Sequence, residues 1–317
     1  MAIIAIDLMS NCVTSAALSK SGKVLFRETA SLENLEGSNV SLLFQNQIKK
    51  IFDLFEHKPL EIKSIGIAVP GIFYSKTGNV WAPNIPGWNN YPLRKELNYL
   101  FVEKKILVKI ASKRTCDILG EKWLGIAKKS RNAIFLSIGR GIGAGVLIDG
   151  RILHGFNDGV GAVGWLAINR QFKEIYRVRG CFENLASAKG LLNTTKEYIL
   201  KNKNIKGYFK KLDIYSITTN DIFQAYKEND PIAKKVLKES IELWGIATAN
   251  LISLFNPELI IFGGSLFGPA LQILEDIKLE ASKWAQPLFM NEVKFVASKL
   301  GANAGLFGAG HFAIKKF

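Results

Sequence analysis

The sequence is poor in cysteine. Its 317 residues include three cysteines, Cys12, Cys116 and Cys181, which lie far apart and form no Cys-x-x-Cys pair. An odd number of separated cysteines argues against a disulfide framework and favours a reducing cytoplasm as the compartment. It also leaves too few thiolates for a metal site that needs two or more of them from this chain.

Long apolar runs are missing as well. No stretch has the length of a membrane-spanning helix, and the opening MAIIAIDLMS lacks the basic flank and cleavage site of a signal peptide. We therefore expect a cytoplasmic protein with no membrane partner. The composition, 48% hydrophobic and 22% charged, is that of a globular protein, and the length allows two domains.

Acidic residues are outnumbered, since 42 lysines and arginines face 27 acids and the net charge is +15. Such a balance raises the question of a nucleic-acid partner. However, the cations occur in short pairs such as Lys49-Lys50, and the densest run, residues 200–211, reads as a loop with few aromatic residues. No helix-turn-helix, zinc-finger or RNA-binding signature is present, so nucleic acid is not the expected partner.

The pattern of elements repeats in the two halves. Three short β runs open the chain, and a helical segment near residues 40–56 precedes the strand SIGIAVPG. Three more β runs with glycine turns, NAIFLSIG, IGAGVLIDG and RILHG, open the second half. A long helix is predicted between Asp230-Pro231 and Asn256-Pro257, followed by the buried strand ELIIFGG. We predict two α/β lobes, residues 1–112 and 113–317, with the small-residue C-terminal helix able to pack back on the first lobe.

The stretch GIAVPGIFYSKTGNVWAPNIPGW, residues 66–88, resembles the sugar-site region of the ROK family, which contains bacterial sugar kinases and related repressors. Four further stretches fall in the order and spacing of that family, so the resemblance covers essentially the whole chain. It implies a two-lobed α/β fold of the actin-like ATPase and hexokinase type (ribonuclease H-like). It also implies a ligand cleft between the lobes and a homodimer.

In this family, by resemblance to hexokinases, an aspartate takes the proton from a sugar hydroxyl, which then attacks the γ-phosphate of ATP. Two glycine-rich hairpins present backbone N–H groups to the phosphates. In many members a zinc ion held by one histidine and three cysteines stiffens the sugar site. The residues expected on the phosphate and nucleotide side of this chain are Asp7, Gly139, Arg140, Gly141, Gly143, Gly263 and Gly264.

The phosphate hairpins depart from the family pattern. Where the family has Asp-x-Gly-Gly-Thr, Asp7 remains as the magnesium-side carboxylate, but the glycines and threonine are replaced by Met9, Ser10 and Asn11. Side chains at the two glycine positions would intrude where phosphate oxygens need bare backbone. In the second hairpin the glycines are kept, while Arg140 replaces the family threonine.

The catalytic motif departs further. The family reads Asn-Asp-x-Asn, and here Ser112 takes the place of the sugar-binding asparagine while Lys113 takes the place of the catalytic aspartate. Lysine, with an ordinary pKa near 10.4, is a cation at neutral pH and cannot accept the proton. Losing a placed general base costs roughly 10²–10⁴-fold in rate. Asp117 lies one helical turn later, where it can pair with Lys113, and it is the candidate for a displaced base.

The zinc and sugar signatures are reduced too. Of the four family zinc ligands only Cys181 remains, and Trp165 stands where the family has its histidine, so no zinc is expected. We expect Trp165 to fill that space as part of the core, with a platform for sugar stacking as the less favoured alternative. Asn84 and Glu183 occupy positions that contact sugar in the family. Bracing of the loops is an equal alternative for these two residues.

Three hypotheses follow. The first is a catalytically impaired sugar-kinase homologue that needs no cofactor and binds or senses a carbohydrate or sugar phosphate. Family repressors carry a DNA-binding segment before the first strand, where this chain begins, so we expect any regulation to act through a protein partner. Lys113 and Arg140 are then either paired with carboxylates such as Asp117 or Asp7, or hold an anionic ligand.

The second hypothesis is an active kinase that binds ATP and magnesium and uses Asp117 as its base. The third is a basic scaffold that touches nucleic acid.

Overall fold

A computed structural model describes residues 2–57, 61–101, 106–202 and 207–315. It contains two compact units. Unit 1 comprises Met1–Ser130, Gly145–Val160 and Ser298–Phe317, and unit 2 comprises Arg131–Ala144 and Gly161–Ala297. The boundary predicted between residues 112 and 113 falls inside unit 1, because the helix that starts at Lys113 packs against the C-terminal helix of the same unit.

Unit 1 is built on a five-stranded mixed sheet. Its strands are β1 (Ala2–Leu8), β2 (Cys12–Ser19), β3 (Val24–Ser31), β4 (Ile62–Val69) and β7 (Leu107–Ser112), with a separate hairpin of β5 (Ile72–Phe73) and β6 (Val80–Trp81). The order is β3-β2-β1-β4-β7. The first three strands are antiparallel neighbours, whereas β4 and β7 run parallel to β1. Because β1 has a neighbouring strand on each side and helices cover both faces of the sheet, all seven of its residues are buried.

The two faces of this sheet carry side chains of different size. One face, with Ile4 and Ile6, packs against helices α1 (Ser38–Phe55) and α2 (Leu93–Phe101). The other presents alanines such as Ala5 and Ala68 to helices α3 (Lys113–Trp123) and α11 (Ala304–Ile314). Alternation along a strand separates the two sets, and the small side chains leave room for a helix backbone to come close.

Helices α3 and α11 touch through glycine. A Cβ atom on Gly120 would collide with the carbonyl oxygen of Ala304, and a Cβ on Gly308 would collide with the carbonyl oxygen of Cys116. The predicted small-residue C-terminal helix is therefore confirmed as a closely packed one. This close packing fixes the position of α3, whose first residue is Lys113.

Unit 2 contains most of a second five-stranded sheet. The strands of that sheet are β8 (Ala133–Ile138), β9 (Ile142–Ile148), β10 (Arg151–Ile152), β11 (Leu259–Gly263) and β12 (Lys294–Ala297). Their order is β10-β9-β8-β11-β12, and β11 runs parallel to both β8 and β12. The helices of unit 2 are α4 (Tyr176–Arg179), α5 (Cys181–Ala186), α6 (Ala188–Lys201), α7 (Thr219–Lys227), α8 (Pro231–Phe255), α9 (Leu274–Ser282) and α10 (Pro287–Glu292).

The long helix α8 begins and ends where the sequence predicts. Asp230 caps its start, since its Oδ1 accepts hydrogen bonds from the backbone N–H groups of Ile232 and Ala233, at 2.8 and 3.2 Å. Asn256 ends it in the left-handed conformation, with φ of 41°. Within the ranges that the structure describes, no helix is both long enough and apolar enough to cross a bilayer.

The lysine-rich run at residues 200–211 differs from the predicted loop. Its first two residues end α6, and Tyr208–Lys211 form a 3-10 turn. Residues 203–206 lie outside the described part of the chain.

Candidate functional site

The predicted residues of unit 1 meet at one edge of its sheet. Asp7 is opposite Ala68 in the register of β1 and β4, and Ala68 is opposite Ala111 in β4 and β7. Parallel neighbours end at the same edge, so Asp7 near the end of β1 lies close to Lys113, which follows β7 and begins α3.

The ammonium group of Lys113 lies between two carboxylates. Its Nζ is 3.1 Å from Oδ2 of Asp7 and 2.9 Å from Oδ1 of Asp117. Asp7 and Asp117 are 1% and 3% exposed, whereas the Lys113 side chain is 26% exposed. The predicted pairing of Lys113 with Asp117 and Asp7 is confirmed.

The protonation of this cluster follows from burial and charge. Burial and the nearby Asp7 raise the pKa of Asp117 to about 6, although Lys113 acts to lower it. Burial acts to lower the pKa of Lys113, but the two carboxylates together outweigh it, so this pKa lies above its ordinary value. Lys113 therefore remains an ammonium ion at neutral pH and has no lone pair with which to accept a proton.

The space around the cluster is tightly filled. A Cβ on Gly305, the second residue of α11, would lie 2.6 Å from Oδ2 of Asp7 and would collide with Nζ of Lys113. Only glycine allows this approach without a shift. The second carboxylate oxygen of Asp7, Oδ1, is buried and has no hydrogen-bond partner among the described residues.

Asp7 is the expected magnesium-side carboxylate, and its surroundings can be tested against that role. One of its oxygens already pairs with an ammonium group at 3.1 Å. A fixed positive charge at that distance opposes a second cation, and the same ammonium group also engages Oδ1 of Asp117. In this arrangement the residues present do not fit a magnesium ion.

The two sugar-side positions of unit 1 have different surroundings. Ser112 is buried, and its hydroxyl accepts a hydrogen bond from the backbone N–H of Phe73 at 3.2 Å, which ties the end of β7 to β5. Asn84 is exposed in the segment that follows β6. That segment is anchored by Trp88, which is buried, stacks on Tyr91 at 4.4 Å between ring centroids, and donates its indole N–H to the carbonyl oxygen of Gly37 at 2.9 Å.

The second glycine hairpin lies in unit 2. The backbone N–H of Gly139 donates to the carbonyl oxygen of Gly141 at 3.0 Å, and the N–H of Ala188 donates to the carbonyl oxygen of Gly139 at 2.8 Å. Arg140, at the tip between the two glycines, is exposed, while Gly143 is half-buried in β9. The hairpin is thus held by backbone contacts, with the Arg140 side chain at its tip.

Glu183 contacts this hairpin directly. Its Oε2 accepts a hydrogen bond from the backbone N–H of Ile142 at 2.7 Å, and a Cβ on Gly141 would lie 2.9 Å from the same oxygen. Burial raises the pKa of Glu183, while the hydrogen bond from Ile142 and the charge of Arg179 act against that rise. The contact favours the bracing role over the sugar-binding role, which stays a prediction.

Gly263 and Gly264 at the end of β11 are required by local packing. A Cβ on Gly263 would lie 2.8 Å from Cε1 of Phe135. Gly264 has φ of 88°, which disfavours any residue with a side chain, and its Cβ would lie 2.5 Å from the carbonyl oxygen of Ile138. These contacts account for both glycines without a nucleotide, so their phosphate role remains a prediction.

Comparison with known proteins assigns the family. Residues 3–316 match the model of the ROK family. The chain belongs to the ROK family. It is 34% identical over 96% of its length to a xylose repressor of Caldicellulosiruptor bescii, covering 76% of that protein. It is 26% identical over 97% of its length to a glucokinase of Halalkalibacterium halodurans, covering 93% of it.

Solved structures of ROK proteins share the fold. A ROK family transcriptional regulator, a homolog of the E. coli MLC protein, superimposes with a TM-score of 0.85 at 25% identity, covering 98% of this chain and 77% of that one. A ROK family glucokinase from Streptomyces griseus, in complex with glucose and AMPPNP, gives 0.81 at 20% identity over 99% of both chains. The predicted family and the α/β fold of actin-like and hexokinase type are confirmed.

Within this ROK chain, the prediction that Trp165 is part of the core is wrong. Trp165 is 48% exposed and ends a short 3-10 turn, Val163–Trp165, so it does not fill a buried space. Its backbone lies against Gly180, where a Cβ would come 2.8 Å from Cα of Trp165. Gly180 thus lies against the backbone of Trp165, and the Trp165 side chain is half-exposed. In the described ranges, no group of three or more His, Cys, Asp or Glu residues could hold a metal ion.

Sequence reasoning missed two contacts of the site. One is the approach of Gly305 to Asp7 and Lys113. The other is the hydrogen bond from Ile142 to Glu183. The glycines of the C-terminal helix signalled close packing, but not which residues they approach, because that depends on how α3 and α11 cross.

Proposed function

We propose that this ROK protein binds a carbohydrate or sugar phosphate as a sensor and does not transfer phosphate. The observation that supports the proposal is the position of Lys113. By resemblance to the family, a carboxylate stands at this point and accepts the proton of the sugar hydroxyl. Here an ammonium ion lies there, held at 3.1 and 2.9 Å by Asp7 and Asp117.

Two separate losses support the absence of turnover. A missing general base costs roughly 10²–10⁴-fold in rate. The engagement of Asp7 by Lys113 opposes a magnesium ion at the phosphate side, and metal neutralisation is a second large contribution to phosphoryl transfer. Met9 and Ser10, half-buried between β1 and β2, further crowd the hairpin where the family has bare glycine.

The ligand class comes from the relatives. The C. bescii relative is a xylose repressor, and a structural relative was solved with glucose. We therefore propose a pentose, a hexose or one of their phosphates as the ligand of this chain. Asn84 is proposed as a sugar contact, and Glu183 as the brace of the second hairpin. The protein requires no metal in this proposal and forms a homodimer, which light scattering after gel filtration would measure.

A thermal-shift panel tests binding. Pentoses, hexoses, amino sugars, their phosphates and ATP with magnesium are added in turn. A ligand at about 100 times its Kd stabilises by about 2.7 kcal/mol, which gives a measurable rise in Tm. We expect one sugar or sugar phosphate to raise Tm and Asn84→Ala to reduce the shift. Asn89→Ala, an exposed asparagine of the same segment, is the control. No shift with any carbohydrate would contradict the sensor.

An active kinase is the second candidate, because one observation favours it. The pKa of Asp117 is raised to about 6, close to the value at which a general base works best at neutral pH. Coupled ADP release with the sugar found above measures turnover directly. Turnover that Asp117→Asn abolishes, in a variant that still binds the sugar, would establish the kinase. The sensor predicts ADP release at the rate of a no-sugar blank.

A further inference from the structure

An exposed surface of unit 2 combines arginine with apolar side chains. We define the arginine surface as Phe172, Ile175 and Val178 with Arg170, Arg177 and Arg179. The three apolar side chains are 60%, 44% and 69% exposed, and the three arginines are exposed as well. The half-exposed Trp165 is next to it through the backbone contact with Gly180. Contiguous exposed apolar residues with a polar rim mark interaction sites.

The surface has a defined local structure. Tyr176 is buried at its centre and anchors the single turn of α4. The ring of Phe172 meets the ring of Tyr176 edge-on, with 6.3 Å between centroids, and the Arg177 guanidinium lies 5.5 Å above Phe172. Ile175 and Val178 are three residues apart, a spacing that brings side chains to the same side of a turn. The apolar side chains are thus exposed on an ordered segment of the chain.

Arginine is unevenly distributed in this sequence. Nine of the 42 basic residues are arginine, three of the nine lie within residues 170–179, and none follows Arg179. Lysine alone supplies the positive charge of the following 138 residues. Arginine differs from lysine in its planar fork, which binds carboxylates with two hydrogen bonds, and it is enriched at the centres of protein interfaces. A general need for solubility would not concentrate arginine at one place.

We infer that the arginine surface docks an acidic segment of a protein partner. The carboxylates of that segment pair with Arg170 and Arg179 and compete with Glu174, which pairs with Nε of Arg177 at 3.1 Å, and its apolar side chains cover the apolar residues of the surface. A nucleic acid would satisfy the arginines but would leave the aliphatic side chains against a charged backbone. A second copy in a symmetric contact would bring like charges together. This inference goes beyond the proposed function, and its test needs no sugar.

The test uses a phage-displayed library of random dodecapeptides and the immobilised full-length chain at physiological salt. We expect the selected peptides to combine Asp and Glu with aromatic or aliphatic residues. The best peptide is then synthesised. Its affinity for the Arg170→Glu variant and for the Val178→Ser variant should be at least about tenfold lower than for the unchanged chain, a loss typical of residues at the centre of an interface. Its affinity should also fall at about 1 M salt, where screening is strong.

Two matched variants serve as controls in the same unit. Lys234→Glu reverses an exposed charge elsewhere, and Leu254→Ser removes an apolar side chain that is 68% exposed, against 69% for Val178. Both should bind the peptide as the unchanged chain does, and thermal melts should show all four variants folded.

Other results would overturn the inference. The first is a selection in which the bound peptides are not enriched in Asp and Glu. The second is a selected peptide that binds all four variants with equal affinity. Binding of duplex DNA or of phosphatidylglycerol vesicles that Arg170→Glu abolishes would assign the surface to those partners instead. Dissociation of a homodimer by Val178→Ser would assign it to a second copy.

Discussion

Replacing Lys113 by methionine should destabilise the protein in a pH-dependent way. Methionine keeps most of the length of the side chain but removes the cation between Asp7 and Asp117, which are 1% and 3% exposed. Two neighbouring buried carboxylates then lack a counter-ion. Removing one partner of a buried ion pair costs about 3–5 kcal/mol. Because the Lys113 side chain is 26% exposed and water can reach it, we expect about 3 kcal/mol at pH 8.

The sign of the pH dependence follows from proton binding. Burial and the neighbouring Asp7 already raise the pKa of Asp117 to about 6. Lys113→Met removes the charge that acts to lower this pKa, so the pKa of Asp117 in the folded protein rises further above its value in the unfolded chain. At pH values between the pKa in the unfolded chain and the pKa in the folded protein, the folded protein binds more protons, so its stability rises as the pH falls. The loss caused by Lys113→Met should therefore be largest at pH 8 and should shrink towards pH 5.

Urea unfolding at a series of pH values measures this effect. The control is Lys50→Met, which breaks an ion pair of the same 2.9 Å length with Glu28 at the surface, where the lysine is 55% exposed. Surface pairs contribute about 0–1 kcal/mol, with little change between pH 5 and 8. A Lys113→Met variant as stable as the control, or one whose loss grows as the pH falls, would refute the reasoning about the buried cluster.

Three further changes have defined outcomes. Gly308→Ala places a Cβ against the carbonyl of Cys116 and should cost about 3 kcal/mol in urea unfolding; a neutral result would show that α3 and α11 can move apart. Burial and nearby lysines lower the pKa of His311 to about 4, below its unfolded value, so stability falls as the pH drops from 6.5 to 4. His311→Phe should abolish up to about 3 kcal/mol of the stability that is lost between pH 6.5 and 4. A pH profile of stability unchanged by the substitution would contradict the attribution of this loss to His311. Glu183→Gln keeps an oxygen for Ile142 but loses the charge, which should cost about 1 kcal/mol and leave Kd for sugar nearly unchanged if the residue only braces the hairpin.

The sequence predicted the elements whose signals are local. The start of α8 after Asp230, its end before Asn256-Pro257 and the opening strands all follow from short patterns. The contact of Lys113 with Asp117 was also predictable, because residues four apart on a helix are neighbours.

The remaining contacts depend on tertiary structure. The approach of Gly305 to Asp7 joins residues almost 300 positions apart and requires the crossing of two helices. The exposure of Trp165 shows the same limit. A large apolar side chain is usually interior, but Trp165 is 48% exposed, in a short turn whose backbone lies against Gly180.

Unit 1 is completed by a helix that the ribosome makes long after the rest of the unit. Helix α11 begins at Ala304, about 180 residues after α3 ends at Trp123, which corresponds to roughly 10–35 s of synthesis at 5–20 residues per second. During that interval α3 alone is available to cover the alanine face of the first sheet, and the glycine side of α3 lacks the helix it packs against. A nascent chain of this protein therefore presents an apolar groove of its own, and a chaperone that shields it until α11 arrives would raise the yield of folded protein.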